Sequence, residues 1–391
     1  MNLLVKDKRF YKKMAVIAIP ISLQSMITIG VNMTDTVMVG KLGETSLSAT
    51  ALANQFVNIY QICCMGIAMG ASVLTSRFWG MQDITSLKKT ITLMLRLCIV
   101  LAVLFMLPTI LIPQLLMRMY SSDSAVIAQG VQYFKWMVYC YFLQGMTMTC
   151  TIVLRSVGQV NFPLFTSIGS FFVNILFNYM FIFGKLGVPR MEVEGAGVGT
   201  LIARVFEFSL ICGYFLFVDR KIGYRLKDLR MKCNSLIKDY VSISIPVFVS
   251  DSLLALGTSA VAMVMGRIGT GFVSANSITV VTQQLTTVVI QGICHASCIM
   301  TGHTLGHGER EKAQQQAWTF LILGLVVGIL GGGLIKVLSR PIIGLYNITP
   351  ETAQIAGELM DAIAFIVIFQ SMNSILTKGV LRGGGDTKFL M

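Results

Sequence analysis

The sequence predicts an all-α, polytopic membrane protein made of two tandem six-helix bundles, of which the second is shortened. Composition, the spacing of long apolar segments and an internal repeat carry this prediction. Of 391 residues, 54% are hydrophobic and only 13% are charged, and the mean hydropathy is +0.74. Soluble domains carry about 25% charged residues, so a membrane protein is indicated.

Ten apolar segments are long enough to cross a bilayer, which takes about 20 helical residues. They cover residues 14–38, 51–76, 90–117, 125–153, 161–184, 196–218, 237–265, 272–301, 314–338 and 352–380. With the N-terminus inside, 22 of the 31 Lys and Arg residues fall on the inner side and eight on the outer side. This bias predicts a cytoplasmic N-terminus.

The net charge of +13 is therefore interpreted as a topology signal and an attraction to anionic lipid. Membrane lipid is an expected partner, whereas nucleic acid is not. The basic start of the chain runs into the first span without a cleavage site, which predicts a retained helix. We expect a multi-pass monomer in a prokaryotic plasma membrane.

An internal repeat divides the chain. Pro20 in "IAIPISLQS" matches Pro246 in "ISIPVFVSD", and "VMVGKLG" matches "AMVMGRIG" (262–269). "FWGMQD" likewise matches "TLGHGE", and all three pairs lie 226 residues apart. "VLRSVGQVNFP" matches "VLRGGGDTKFL" at an offset of 227 residues. Six spans precede the second copy, so the two copies are expected to share one orientation.

The repeat predicts a six-helix lobe over residues 1–225 and a second lobe over residues 226–391. The second copy holds four helices and the start of a fifth, so ten spans are present of an expected twelve. By that symmetry we expect the chain to be shortened at its C-terminus.

Asp35 interrupts the end of the first span, and from Met14 to Met33 no residue is charged. A carboxylate in the membrane costs at least ~2.5 kcal/mol on insertion scales and is by default a functional hypothesis. Snorkelling to the outer interface or pairing with Lys41 is the alternative. Asn174 and Asn178 have i,i+4 spacing and share one helical face. Their amide oxygens and a carboxylate suit a hard cation such as Na⁺, and the acid alone could carry a proton.

Other motifs have structural explanations. Arg204 and Glu207 have i,i+3 spacing, and we expect them to neutralise each other. Gly195, Gly197 and Gly199 indicate close helix packing. No Walker motif, metal-ligand cluster or nucleophile elbow is found, so neither an enzyme nor a cofactor is expected. Transport would then draw on an ion gradient or run passively.

The chain resembles the multidrug and toxic compound extrusion (MATE) family along essentially its whole length. The resemblance is carried by "MTDTVMVGKLG", "VLRSVGQVNFP", "NILFNYMFIFG", "GAGVGTLIAR" and "GVLRGGGDTKF". It implies a cation-coupled antiporter, driven by Na⁺ or H⁺, that exports organic cations or amphipathic drugs. Two lobes would form a V around a central cavity and alternate between inward and outward openings.

The resemblance assigns cation coupling to Asp35, with Asn174, Asn178 and Thr200 as partners. Asn178 stands where the family usually has a second acid. The second-lobe acids of some relatives align with Leu254 and Asn373, so that site is expected to be missing. Asp251, one turn before Leu254, is with Asn373 the candidate for a second-lobe site.

Pro20 and Pro246 are expected to break the first and seventh spans at equivalent points and to act as hinges. Two other functions remain open. A flippase for lipid-linked precursors uses a related fold, but its cavity needs more Arg and Lys than the first-lobe spans supply. A passive channel or receptor-like protein would show no gradient-dependent flux.

Overall fold

The computed structural model describes residues 4–268, 270–344 and 349–390, and these residues are almost entirely helical. Part of the repeat block 262–269 lies outside the described residues. The helices are α1 (Lys8–Gly40), α2 (Glu44–Gly80), α3 (Ile84–Leu111), α4 (Pro113–Arg118), α5 (Ser124–Ser156), α6 (Asn161–Phe183), α7 (Glu192–Gly213), α8 (Asn234–Ile268), α9 (Thr270–Gly306), α10 (Arg310–Ile343) and α11 (Pro350–Ser374). Single π-helical segments continue α7 (Tyr214–Val218) and α11 (Ile375–Leu381).

Within the described part of the chain, nine helices are long and apolar enough to cross a membrane. They match nine of the ten predicted spans, which confirms a multi-pass all-α membrane protein. The predicted span 237–265 falls on the 35-residue helix α8, several of whose side chains lie outside the described residues.

The predicted span 90–117 is wrong as one continuous helix. α3 ends at Leu111, and a second short helix, α4, begins at Pro113. Ile112 between them has φ −135° and ψ 45°, which is not helical. Proline disfavours the helical conformation of the preceding residue, while it fits the first turn of a helix. The Ile–Pro pair therefore divides the apolar segment.

Side-chain caps fix several helix starts. Asp83 accepts a hydrogen bond from the Ser86 backbone N–H at 3.0 Å, and Asp123 accepts one from the Ala125 N–H at 2.8 Å. A capping carboxylate satisfies a backbone donor that the first helical turn leaves free. The two short connections 81–83 and 119–123 therefore define where α3 and α5 begin.

Asp83→Ala is expected to destabilise the protein by about 1 kcal/mol at neutral pH, because the start of α3 loses its cap. Hydrogen bonding from Ser86 lowers the pKa of the Asp83 carboxyl. The stabilisation is then complete above the unfolded-state pKa and is lost as pH falls through the folded-state pKa. Denaturant unfolding in detergent as a function of pH measures the difference, with Asp239→Ala, which removes an exposed acid inside α8, as the control. A difference that grows towards acidic pH would contradict it.

The chain divides into two compact units, which we call the first unit (Gln24–Thr75 and Asp83–Phe248) and the second unit (Met1–Leu23, Ser76–Gln82 and Val249–Met391). These units follow packing, whereas the predicted lobes 1–225 and 226–391 follow the repeat. The lobe boundary remains a prediction.

The expectation that Pro20 and Pro246 break their helices is corrected by the structure. Both prolines lie inside continuous helices, α1 and α8. Proline removes one backbone hydrogen bond and clashes with the preceding turn, which kinks a long helix without having to end it. In both helices the chain changes unit within four residues after the proline, at Leu23/Gln24 and at Phe248/Val249.

Each unit has its own tightly packed helix contacts. In the first unit the rings of Tyr60 and Tyr141 lie 5.0 Å apart, and the Tyr60 hydroxyl donates to the Tyr141 carbonyl. In the second unit, a Cβ at Gly328 would lie 2.9 Å from the Ile368 backbone. Small residues let helix backbones approach closely, which supplies the van der Waals contact that holds helices together in lipid.

Candidate functional site

A cavity of about 340 Å³ opens among α1, α2, α5, α6 and α7, and all the residues that line it belong to the first unit. Many of the side chains that line it are polar or charged. Asp35, Asn174, Thr200, Arg204 and Glu207 are among the lining residues. Polar and ionisable groups at membrane depth normally face such a cavity, where water or a ligand can solvate them.

The structure brings Asp35 together with both predicted asparagines. The Asn178 side-chain amide donates to Asp35 Oδ1 at 2.7 Å and lies 3.3 Å from Asn174 Oδ1. Asn174 and Asn178 are only 3% and 1% exposed. The hydrogen bond from Asn178 joins Asp35 to α6, and among the ion pairs of the described residues none joins Asp35 to Lys41.

The polar cluster also contains an acceptor with no donor. Asn178 Oδ1 is buried and has no hydrogen-bond partner among the described residues. A buried amide oxygen without a partner costs roughly 1–3 kcal/mol. Asp35, Asn174 and Thr200 line the cavity, whereas Asn178 is not among the described lining residues and its Oδ1 lies against Gly199. The oxygens of the three lining residues are hard ligands of the kind that alkali cations accept.

Close packing of α7 against α6 positions Asn178. A Cβ at Gly195 would lie 2.6 Å from the Phe181 backbone, and a Cβ at Gly199 would overlap with the Asn178 amide. At Gly197 a Cβ would lie 3.1 Å from Trp136. The prediction that this glycine block serves helix packing is confirmed.

Gly199→Ala is therefore expected to displace the Asn178 side chain and to weaken the Asp35 contact. The export of organic cations that the resemblance implies should then fall at least several-fold at matched protein levels, because the methyl group occupies the space of the amide. Gly213→Ala is the matched control, since a Cβ there meets no atom within 4 Å. Equal loss in the two variants would contradict this explanation.

Some cavity residues were not identified from the sequence. Asn54, Asn58 and Gln61 of α2 line the cavity, and the Tyr133 hydroxyl lies 3.3 Å from Asn54 Oδ1. Their i, i+4, i+7 spacing within an apolar span places them on one helix face. That spacing was the available signal for a polar wall.

Arg204 and Glu207 form the predicted ion pair, with Arg204 Nη1 at 2.8 Å from Glu207 Oε2. The prediction of mutual neutralisation is confirmed. The structure adds that both side chains line the cavity that Asp35 also lines.

The second-lobe candidates are arranged differently. Asp251 of α8 accepts hydrogen bonds from Arg382 Nη2 at 3.1 and 3.2 Å, and Lys378 Nζ lies 3.8 Å from its Oδ1. Asn373 is exposed, and no described hydrogen bond joins it to Asp251. The side chains of Arg382 and Lys378 already neutralise the Asp251 carboxylate. The structure therefore does not bring Asp251 and Asn373 together into a cation site of the second unit.

Among the described residues, no cluster of three His, Cys, Asp or Glu side chains is arranged to hold a metal ion.

A family model, MatE, matches residues 20–180 and again residues 246–391. The chain belongs to the MatE family. The two matched segments begin at Pro20 and Pro246, the same prolines that open the internal repeat. This MATE chain therefore carries the family pattern twice.

Several curated MATE relatives extend over most of the chain. A probable multidrug resistance protein NorM of Agrobacterium fabrum is 24% identical over 388 residues, covering 97% of this chain and 82% of the relative. A probable NorM of Thermotoga maritima is 23% identical, covering 96% of this chain and 80% of the relative. The MATE chain is thus a membrane transporter of the multidrug efflux family.

Solved transporter structures have the same fold. A mutant of the Vibrio cholerae MATE transporter VcmN matches with a TM-score of 0.89 at 16% identity, covering 98% of this chain and 85% of that one. A MOP superfamily transporter from Pyrococcus furiosus matches with a TM-score of 0.86 at 19% identity, covering 99% and 86%. The latter is described as having a binding pocket of reversed polarity, which suggested a different function for it.

Proposed function

We propose that this MATE chain is an antiporter that exports organic cations or amphipathic drugs in exchange for Na⁺ or H⁺. One observation carries the proposal: Asp35, a carboxylate within a predicted span, lines a polar cavity and is held by a buried amide at 2.7 Å. Such a carboxylate attracts cations and is costly to leave unmatched in a membrane.

Coupling would arise because the two cations share one carboxylate. The coupling ion, as cargo, would bind at Asp35 with the amide oxygens of Asn174 and Asn178 and the Thr200 hydroxyl, or a proton would bind at Asp35 alone. An organic cation in the same cavity would compete for the same negative charge. Binding of one cation would therefore favour release of the other, which is the requirement for exchange.

Pro20 and Pro246 would supply the hinges for alternating access. Each lies in a continuous helix, within four residues of the point where the chain changes unit. A missing backbone hydrogen bond makes that point of a helix easier to bend. The cytoplasmic N-terminus, a prokaryotic plasma membrane and a monomeric state belong to the same proposal.

The flippase alternative is less well supported. A cavity that carries a lipid-linked pyrophosphate needs an excess of positive charge. Here the charged groups among the described lining residues are Asp35, Arg204 and Glu207. Their sum is negative when both acids are ionised, which favours a cationic cargo.

The test is transport of ethidium by the purified protein in proteoliposomes, with an Na⁺ gradient alone and then a pH gradient alone. Antiport predicts ethidium movement against its concentration under at least one gradient, together with countermovement of that ion. Empty liposomes and collapsed gradients are the controls. Movement that merely equilibrates ethidium whatever the gradient would indicate a passive channel.

A further inference from the structure

The Arg204–Glu207 pair stands on the wall of the proposed transport cavity. Both residues belong to α7 and line the same cavity as Asp35. Their side chains are 31% and 13% exposed, and their charged atoms lie 2.8 Å apart. Arg204 is also close enough to interact electrostatically with Asp35. The pair is thus available to any ion that enters.

Glu207 gives the cavity a second carboxylate, and Arg204 neutralises the charge of that carboxylate. With Asp35 ionised, the three charged groups among the described lining residues sum to one negative charge. With a proton or Na⁺ at Asp35, they sum to zero. Opposite charges attract each other strongly in a partly desolvated site, so this sum determines how strongly the cavity attracts cations.

We propose that Arg204 determines the charge specificity of the cavity by neutralising Glu207, which limits the cavity to one monovalent cation at a time. This inference rests on the proposed cation transport. Without Arg204, Asp35 and Glu207 would both be free to bind cations. A cargo with two positive charges would then be accepted, and the coupling ion could bind together with a monovalent cargo.

Glu207 has a corresponding role. Asn178 occupies the position where the family resemblance implies a second acid, and Glu207 of α7 lines the cavity that contains Asp35. Without Glu207, the Arg204 guanidinium would instead neutralise Asp35, and no negative charge would remain for a cation to bind. Arg204 and Glu207 are specificity-determining residues whose effects should cancel when both are removed.

The purely structural explanation makes a different prediction. If the ion pair only stabilises one turn of α7, removing either side chain lowers stability and reduces binding of every cargo alike. The double variant should then bind every cargo no more tightly than a single variant does, except for what it gains because no unpaired charge is left. Charge selectivity separates the two explanations because stability alone does not change it.

The experiment compares ethidium, with one positive charge, and propidium, a close analogue with two. Equilibrium fluorescence binding to the purified protein is measured for the wild type, Arg204→Gln, Glu207→Gln and the double variant Arg204→Gln/Glu207→Gln. Arg204→Lys is the matched control that keeps the charge. Thermal unfolding in detergent establishes that each variant is folded.

We expect Arg204→Gln to shift the propidium-to-ethidium affinity ratio upwards by on the order of tenfold or more, since one full charge is uncovered. Glu207→Gln should weaken both dyes by a similar factor. The double variant and Arg204→Lys should return to the wild-type ratio. If a single variant does not fold, the double variant must still bind ethidium as the wild type does.

An unchanged propidium-to-ethidium ratio in folded Arg204→Gln would overturn the inference. So would a double variant that binds ethidium as weakly as Glu207→Gln. If the wild type binds neither dye, the organic-cation site is wrong and the inference fails with it. If dyes bind with the expected charge pattern but no gradient drives transport, the inference stands and the antiport proposal fails.

Discussion

Asp35→Asn is expected to abolish gradient-driven ethidium export while leaving the protein folded. The substitution keeps the shape of the side chain and removes its charge, so the cavity loses the group that both cations would share. The net charge of its charged lining residues then becomes zero, because Arg204 and Glu207 cancel. The cavity then no longer attracts a coupling ion or an organic cation electrostatically.

The measurement is the initial rate of ethidium movement in proteoliposomes under the gradient that drives the wild type. Asp361→Asn is the matched control, because Asp361 is an exposed acid that pairs with Lys336. We expect export at background in Asp35→Asn and near wild type in Asp361→Asn. Asp35→Glu, which keeps the charge, should retain part of the activity.

Export at the wild-type rate by Asp35→Asn would show that Asp35 has only a structural role. Loss of export in both Asp35→Asn and Asp361→Asn, with lower thermal stability in both, would indicate unfolding and not coupling. Ethidium binding separates these outcomes further, since the proposed mechanism predicts that Asp35→Asn weakens binding as well as transport.

Asp251→Asn is expected to be the most destabilising single substitution among those considered, by about 3–5 kcal/mol, because it leaves a buried cation without its partner. The Arg382 side chain is only 3% exposed, and both of its short ionic contacts go to Asp251. Its Nε already has no partner among the described residues. Removing the carboxylate would leave this guanidinium charge uncompensated.

Unfolding in detergent, followed by circular dichroism, measures the effect. Asp361→Asn again serves as the control, because exposed ion pairs contribute only about 0–1 kcal/mol. The double variant Asp251→Asn/Arg382→Met should recover much of the loss, since replacing a whole buried pair with apolar groups is often neutral. Equal unfolding midpoints for Asp251→Asn and Asp361→Asn would contradict this account.

The same variant tests whether the second unit participates in coupling. Because Lys378 and Arg382 already surround Asp251, no separate cation is needed to balance it. Folded Asp251→Asn protein is therefore expected to keep the ion selectivity of the wild type. A change of driving ion would place Asp251 in the coupling machinery.

The sequence by itself determined the class of molecule. Apolar segments of 20 residues or more have few stable alternatives to helices in lipid, because every backbone group must be hydrogen-bonded internally. The repeat and its prolines could also be identified from the sequence, because similar residues recur at a constant offset. Asp35 was identifiable because a carboxylate is conspicuous in an apolar segment, and the i,i+4 pair Asn174 and Asn178 placed two amides on one face.

Only the tertiary structure decided which polar groups meet. Asn178 touches Asp35 across 143 positions of sequence, and no local pattern encodes that contact. The pairing of Asp251 with Arg382 across 131 positions likewise turned a candidate coupling acid into half of a buried ion pair. Arg204 and Glu207 read as a local pair in the sequence, and only packing of α7 placed them on the cavity wall. Helices form from local hydrogen bonds, whereas a site is assembled from side chains of several helices whose relative positions depend on packing.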